Sequence, residues 1–379
     1  MAGAYFVDGQ SSRTIAMERW HCKNESKELQ DLLEINPDLL PGDQIDPENP
    51  RRWLLVKREM PVPSPHTGSD RWSLDFFFVD QDAIPTFVEC KRFANTQSRR
   101  EIVGQMLEYA ASGYYYWTKE KLVKLAEEEA AKRNLLLDDR LRSLQPYDEV
   151  ETDEFFDRVQ QNLREGLLRI IFFLDESPME LRSVVDFLNK QMERSEVLLV
   201  EARQFHFKGT KILVPTLFGY TEEARKAKMS VAIPTKGARR EWDRDSFFVD
   251  ARTKLLVADV KRLQMLYDAF STKRGCEVTF GTGKVNGSFN VKVNGVCKRS
   301  LLTINSAGSL IFNFPWVGGS EPSEQARDRL KKVVVDEIRL DVDENYKQKW
   351  RTYKIDEWRD KAEVLKDAVG RLFDELAAS

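Results

Sequence analysis

The chain has 379 residues, of which 41% are apolar and 32% are charged, and its formal net charge at pH 7 is −3. This length predicts two or three domains, and the apolar content excludes a disordered chain. The slightly acidic balance argues against a protein that coats nucleic acid by bulk charge, but it is compatible with a local basic groove.

Histidine and cysteine are scarce, which limits the kinds of catalytic and metal-binding site that the chain can form. The chain has 3 His and 4 Cys residues, and no two cysteines form a Cys-x-x-Cys pair. Zinc hydrolases, HNH-type sites and Ser-His-Asp triads need imidazole as a ligand or base, so they are disfavoured. The N-terminus lacks a signal pattern and no apolar run is as long as a membrane span. We therefore expect a cytoplasmic protein with no membrane partner.

The first part of the chain alternates between helical and strand periodicity. In chain order the pattern predicts a helix at 25–35, strands at 53–60, 71–80 and 86–93 with a turn at 81–85, and a helix at 97–112. The order of elements up to this point is αβββα.

A charged stretch at 118–166 predicts a helical insertion, after which the alternation resumes. The later elements are a strand at 169–174, a helix at 178–192 with Ser177 as its N-cap, and strands at 196–205 and 211–216. The pattern predicts an α+β domain over 1–220, built on a mixed sheet covered by helices.

The composition changes after residue 220. Residues 221–244 are rich in Lys and Arg and are predicted to form a basic linker. Residues 245–379 are expected to form a C-terminal α+β domain with a helix at 246–273, glycine-punctuated strands and closing helices at 325–338 and 358–376. The role of this domain is unknown. We expect it to mediate homodimer formation or to bind a partner protein.

The hairpin at 71–93 carries the informative polar residues. Asp75 stands in an apolar strand, and Glu89 and Lys91 stand in the next one. Strand side chains alternate between faces, so Glu89 and Lys91 point the same way, and the hairpin can bring Asp75 beside them.

Two carboxylates and an ammonium on one face suit the hydrolysis of a phosphodiester. Asp75 and Glu89 can hold Mg²⁺ or Mn²⁺, and the backbone carbonyl of Cys90 can supply a further oxygen. Lys91 can position or deprotonate the attacking water, or neutralise charge that develops in the transition state. The alternative is a salt bridge on a solvated strand face.

Two flanking helices offer supporting residues. Glu28 is predicted as a third metal-binding carboxylate, with Glu25 and Glu34 as competitors on the same helix. Gln105 and Tyr109 are four residues apart and share a helix face, from which they can orient water or phosphate. The basic residues Arg92, Arg99 and Arg100 are candidates for phosphate contact, or they are ordinary exposed cations.

The set formed by Asp75, Glu89-x-Lys91 and Gln105-x-x-x-Tyr109 resembles the PD-(D/E)XK nuclease superfamily and its RecB-like branch. The helix that contains Glu28 resembles the first helix of standalone prokaryotic endonucleases related to mismatch-cleaving enzymes. The resemblance covers roughly 18–215, although Leu74 stands where the family often has Pro. It implies an αβββαβ core, metal binding at Asp75 and Glu89, and catalysis at Lys91.

The sequence therefore predicts a metal-dependent endo- or exonuclease. The resemblance favours DNA as the substrate and suggests a role in bacterial defence or repair. Two alternatives stay open: a nuclease-like module that binds nucleic acid or protein without cutting it, and an RNA-directed nuclease.

Overall fold

A computed structural model describes residues 3–7, 13–47, 49–63, 70–92, 98–145, 151–219, 228, 242–281, 283, 286–297 and 299–378. The chain divides into two compact units. The first comprises Met1–Leu144 with Glu151–Ile233, and the second comprises Gln145–Val150 with Pro234–Ser379. Within the described residues, no helix is both long enough and apolar enough to cross a lipid bilayer.

The first unit is built on a mixed sheet. A small pair of strands, β1 (Tyr5–Val7) and β2 (Thr14–Ala16), stands apart from this sheet. The sheet strands are β3 (Glu18–Trp20), β4 (Trp53–Pro63), β5 (Asp70–Asp80), β6 (Pro85–Lys91), β7 (Arg169–Leu174), β8 (Glu196–Phe207) and β9 (Thr210–Phe218). Their order is β3-β8-β7-β6-β5-β4, and β9 also pairs with β8.

The centre of the sheet is parallel and its flanks are antiparallel. Strand β6 runs parallel to β7, and β7 runs parallel to β8, whereas β4, β5 and β6 form antiparallel neighbours. Parallel strands are usually covered on both faces, and every residue of β7 is indeed buried. This explains why the central strands read as continuous apolar runs in the sequence.

The helices of the first unit lie between these strands in the chain. A π-helical turn at Ser26–Gln30 continues into α1 (Asp31–Ile35), and the remaining helices are α2 (Gly42–Ile45), α3 (Ser98–Tyr116), α4 (Lys119–Ala131), α5 (Leu137–Leu144), α6 (Thr152–Glu165) and α7 (Met179–Gln191). The described residues of the region at 118–166 are thus mostly helical, as the sequence predicts.

Alternate residues of the central strands enter two different cores. Phe76 and Val88 belong to a buried cluster that includes Leu29 on the first helix. Phe77 and Phe87 face the other side, where their rings lie 5.1 and 5.2 Å from the ring of Trp117 at the end of α3. Strand alternation therefore places Asp75, Glu89 and Lys91 on the same side of β5 and β6 as Phe77 and Phe87.

The structure corrects some details of the sequence prediction. Ser177 is not an N-cap, because α7 has Pro178 in that position with no side-chain cap and the Ser177 hydroxyl instead hydrogen-bonds Glu201. Strands β1 to β3 were not predicted. Apart from Lys228 and 242–244, the predicted basic linker lies outside the described residues.

The second unit combines an antiparallel sheet with helices. In chain order its elements are α8 (Arg244–Lys254), α9 (Val257–Ser271), β10 (Cys276–Phe280), β11 (Ser288–Val293), β12 (Leu302–Asn305), β13 (Leu310–Phe312), α10 (Glu321–Asp336), β14 (Thr352–Tyr353), α11 (Ile355–Trp358) and α12 (Ala362–Ala378). The sheet order follows the chain from β10 to β14. The region at 246–273, predicted to be mostly helix, consists of two helices separated by Leu255 and Leu256.

Candidate active site

The candidate site lies where the backbone pairing between β5 and β6 ends. This pairing ends at Phe76 opposite Val88, and the next residues in register are Asp75 and Glu89. Opposite residues of an antiparallel pair project to the same face, so the two carboxylates share a face. The Oδ2 atom of Asp75 accepts the backbone N–H of Cys90 at 2.7 Å. The Asp75 carboxylate thus receives an N–H group at the point where the strand ladder stops.

Lys91 connects the strand to the first helix. Its Nζ atom lies 3.0 Å from Oε1 of Glu89 and 3.3 Å from Oε1 of Glu25. The other carboxylate oxygen of Glu25 accepts the backbone N–H of Arg92 at 3.0 Å. Glu25 is therefore the helix carboxylate that reaches Lys91, and sequence reasoning had considered it only as a competitor of Glu28.

Glu89 is the most enclosed acid of the site. It is 3% exposed, and its Oε2 atom is buried without a hydrogen-bond partner. Burial raises the pKa of Glu89 to about 7, and the nearby Asp75 carboxylate adds to the increase while Lys91 opposes it. A buried carboxylate oxygen with no donor is costly for a purely structural residue, which favours a role for this oxygen in binding.

The surroundings of Asp75 include a residue that sequence reasoning missed. Burial raises the pKa of Asp75, while the N–H of Cys90, the charge of Lys91 and the side-chain amide of Gln30 act in the opposite direction. Gln30 is itself buried, and its Oε1 atom accepts a hydrogen bond from Arg58 at 3.3 Å. Because Gln30 stands in a helical pattern of mixed polarity, no local sequence signal marks it.

Lys91 is held in its charged form. Burial alone would lower the pKa of Lys91, but the carboxylates of Glu89, Asp75 and Glu25 raise it above its ordinary value. In this arrangement the amine carries its proton and cannot accept another. Of the roles expected for Lys91, neutralising developing charge therefore fits this metal-free protonation state better than removing a proton from water.

Helix α3 contributes a pair of polar residues beside the two strand acids. The side-chain amide of Gln105 donates a hydrogen bond to the hydroxyl oxygen of Tyr109, which is fully buried. Burial raises the pKa of Tyr109, and the charges of Glu89 and Asp75 act in the same direction. The phenol is therefore near enough to both carboxylates to sense their charge.

Glu28 faces a different group of donors. Its carboxylate accepts the indole N–H of Trp20 at 2.7 Å and the backbone N–H groups of Lys23 at 2.6 Å and Asn24 at 2.9 Å. Burial would raise the pKa of Glu28, but hydrogen bonds from Asn24, Lys23, Trp20 and Lys211 lower it to about 2. The structure thus places Glu28 against the chain segment that precedes the helix.

The remaining predicted residues are Glu34, Arg92, Arg99 and Arg100. Glu34 forms a salt bridge with Arg58. The side-chain nitrogen Nη1 of Arg92 donates to the carbonyl oxygen of Lys23 at 2.7 Å. The side chains of Arg99 and Arg100 lie outside the described residues, so their predicted phosphate contacts stay predictions.

The donor set at this site suits a hard cation. In the part of the chain that the structure describes, no group of three or more His, Cys, Asp or Glu side chains is arranged to hold a metal ion. Asp75 and Glu89 do provide two neighbouring desolvated carboxylates, and the Oε2 atom of Glu89 has no donor. Oxygen donors of this kind are what Mg²⁺ and Mn²⁺ prefer, so the residues present fit such an ion.

Comparison of the chain with protein-family models, curated proteins and solved structures found no match. The fold and site define an α/β protein with a charged cluster at the end of a central strand.

Proposed function

We propose that the first unit is a metal-dependent phosphodiesterase of the PD-(D/E)XK type that cleaves nucleic acid, with DNA as the favoured substrate. The order of elements around the site supports this proposal, because the first helix, three antiparallel strands and α3 precede the parallel strand β7, with α4 to α6 between α3 and β7. The substrate preference rests on the resemblance of the sequence motifs.

The observation that carries the proposal is the environment of Glu89. Its Oε2 atom is buried and unpartnered, while its Oε1 atom lies 3.0 Å from Nζ of Lys91. A salt bridge with a purely structural role would be expected to satisfy both oxygens or to leave one in water. A carboxylate with one buried oxygen left over is suited to binding a cation.

Asp75 and Glu89 would hold Mg²⁺ or Mn²⁺, and the Cys90 carbonyl is the further oxygen predicted from the sequence. When bound, such an ion polarises a phosphate and lowers the pKa of a coordinated water. The charged Lys91 would stabilise negative charge on the phosphate during cleavage. Gln105 and Tyr109 would orient the reacting groups by hydrogen bonds.

Glu25, which was predicted only as a competitor of Glu28, is the acid from the first helix that contacts Lys91. Its Oε1 atom contacts Lys91, so the helix carboxylate would position the ammonium group rather than contact substrate. Glu28 fits this role less well, because its carboxylate already accepts hydrogen bonds from four donors.

A cleavage panel tests the proposal. Full-length protein would be incubated with labelled single- and double-stranded DNA and RNA in Mg²⁺, Mn²⁺ or EDTA. We expect cleavage of DNA in Mg²⁺ or Mn²⁺ and none in EDTA. Cleavage of RNA alone would replace the favoured substrate by the RNA alternative. Binding without cleavage of any substrate in either metal would favour the non-cutting module, and it would overturn the proposed activity.

A further inference from the structure

A second cluster, of three charged residues and one tryptophan, includes Glu28, which stands one helical turn after Glu25. It consists of Trp20, Lys23, Glu28 and Lys211, and we call it the Trp20 cluster. The ammonium nitrogen of Lys211 lies 3.7 Å from the centre of the Trp20 ring, and that of Lys23 lies 5.3 Å from it. Both distances are typical of cation–π contacts.

Glu28 fixes the shape of this cluster. One of its carboxylate oxygens accepts the Trp20 indole N–H at 2.7 Å and lies 3.2 Å from Nζ of Lys211. The other accepts two consecutive backbone N–H groups, those of Lys23 and Asn24. The Glu28 carboxylate thus contacts the Trp20 indole, the ammonium group of Lys211 and the backbone of Lys23 at the same time.

The charge of the cluster is incompletely balanced. Lys211 is 44% exposed at its side chain and shares Glu28 with other donors, and Lys23 is exposed. Among the residues that the structure describes, Lys23 has no acidic side chain within salt-bridge distance. Two ammonium groups therefore lie over or near one indole ring, with one carboxylate in the same cluster.

The Trp20 cluster is connected to the candidate active site through Arg92. The guanidinium of Arg92 donates to the carbonyl oxygen of Lys23, and the backbone N–H of Arg92 donates to Glu25. Arg92 also follows Lys91 directly in the chain. Arg92 therefore connects Lys91 to the chain segment that carries Lys23, which places this segment beside the candidate active site.

We propose that Lys23 and Lys211 bind backbone phosphates of the nucleic acid beside the bond that is cleaved, with Trp20 and Glu28 holding both ammonium groups in position. This inference rests on the proposed function, because it takes the substrate of that site to be nucleic acid. Contacts to phosphate position a substrate without reading its sequence, so this surface would set the register of the strand and not its base preference.

The test is a titration of labelled DNA, as a duplex and as a single strand, with full-length protein in EDTA at several salt concentrations. The variants are Lys23→Ala, Lys211→Ala and the double variant, and Lys124→Ala on α4 is the matched control because it also removes an exposed lysine. Each phosphate contact contributes about 0.9 to the slope of log affinity against log salt on duplex DNA and about 0.7 on single strands. We expect each single variant to flatten the slope by about that amount, and the double variant by about twice as much.

An unchanged affinity and slope in the double variant would overturn the inference, as would equal losses in Lys124→Ala. These results are independent of catalysis, since no metal is present. If the wild type cleaves DNA while the double variant binds normally, the inference fails and the proposed function stands. If the double variant loses binding but the wild type cleaves nothing with any metal, the phosphate contacts of Lys23 and Lys211 are upheld and the proposed cleavage activity fails.

Discussion

The Nζ atom of Lys91 lies 3.0 Å from the Oε1 atom of Glu89, two residues earlier on the same strand. The contact joins an acid that is 3% exposed to an ammonium group that also touches Glu25. A buried ion pair stabilises little when both partners must leave water, so the arrangement is better explained by chemistry than by stability.

Removal of the Lys91 charge should abolish most of the activity. Lys91→Ala is expected to lower the rate of cleavage by about 10²–10³-fold, the usual effect of deleting one charge-stabilising group. Lys91→Arg, which keeps the charge, should retain more activity than Lys91→Ala. The measurement is a single-turnover time course on labelled DNA, with Lys124→Ala as control. Equal rates for wild type and Lys91→Ala would exclude Lys91 from the reaction.

The contribution of Glu89 to the free energy of unfolding should decrease as the pH rises. Its pKa is about 7 in the folded protein against an ordinary value of 4.5, so the folded state binds more protons between these values. The contribution of Glu89 to stability is therefore fully present below pH ~4.5 and is lost as the pH rises through ~7. Glu89→Gln should remove this loss, and at pH 8 it should be more stable than the wild type by about 1–3 kcal/mol.

The measurement for Glu89→Gln is urea denaturation of both proteins from pH 4.5 to pH 8 without divalent metal. A gain in stability that grows with pH, together with loss of cleavage, is the expected pair of results. A variant less stable than the wild type at pH 8 would show that the Glu89 carboxylate stabilises the fold.

Glu28 should show the opposite dependence on pH. Its folded pKa of about 2 lies below the ordinary 4.5, so its contribution to stability is present above pH ~4.5 and is lost as the pH falls toward ~2. Glu28→Gln should cost about 1–3 kcal/mol near neutral pH, because several donors lose a charged acceptor. The stability difference between wild type and variant, measured by denaturation at several pH values, should shrink on acidification. A difference that is constant with pH would contradict the role assigned to this carboxylate.

Substitutions of Glu25 and Glu28 should have different effects on the stability of the metal-free protein and on the rate of cleavage. Glu25→Gln weakens the hold on Lys91 and should lower the cleavage rate about 10-fold, by analogy with residues that position a catalytic group. Glu28→Gln should affect stability and DNA binding more than the rate at saturating substrate. If Glu28→Gln lowered the saturated rate more than Glu25→Gln, the assignment of the two residues would be reversed.

Divalent metal should stabilise the folded protein through the two strand carboxylates. A cation at 100 times its dissociation constant adds about 2.7 kcal/mol to folding, which raises the melting temperature by several degrees. The increase with Mn²⁺ should be absent in Asp75→Asn, which keeps the size of the side chain and an oxygen for the N–H of Cys90. Lys124→Ala should keep the full increase. An equal increase in Asp75→Asn would place the cation elsewhere.

Much of the sheet could be predicted because its central strands are apolar on both faces. Residues such as Phe77 and Phe87 mark β5 and β6 without any knowledge of their neighbours, and the turn between these strands has polar residues. The strands near the N-terminus could not be predicted in this way. Strand β3 spans only Glu18–Trp20 and exists through its pairing with β8, a contact distant in sequence.

The candidate site was predictable on the strands and less so on the first helix. Asp75, Glu89 and Lys91 are conspicuous because charge is unusual inside apolar strands. Glu25 and Glu28 are both acids at the start of a helix, and periodicity cannot decide which faces the sheet. The decision depends on Glu28 binding the backbone of Lys23 and Asn24, which only the folded chain shows.

The most direct test of the account is the single-turnover rate of DNA cleavage by Asp75→Asn at saturating Mn²⁺, beside wild type and Lys124→Ala. We predict that the wild type and Lys124→Ala cleave at the same rate and that Asp75→Asn is slower by about 10³-fold or more. Cleavage by Asp75→Asn at the wild-type rate would contradict the account, because the activity would then lie outside the carboxylates of β5 and β6.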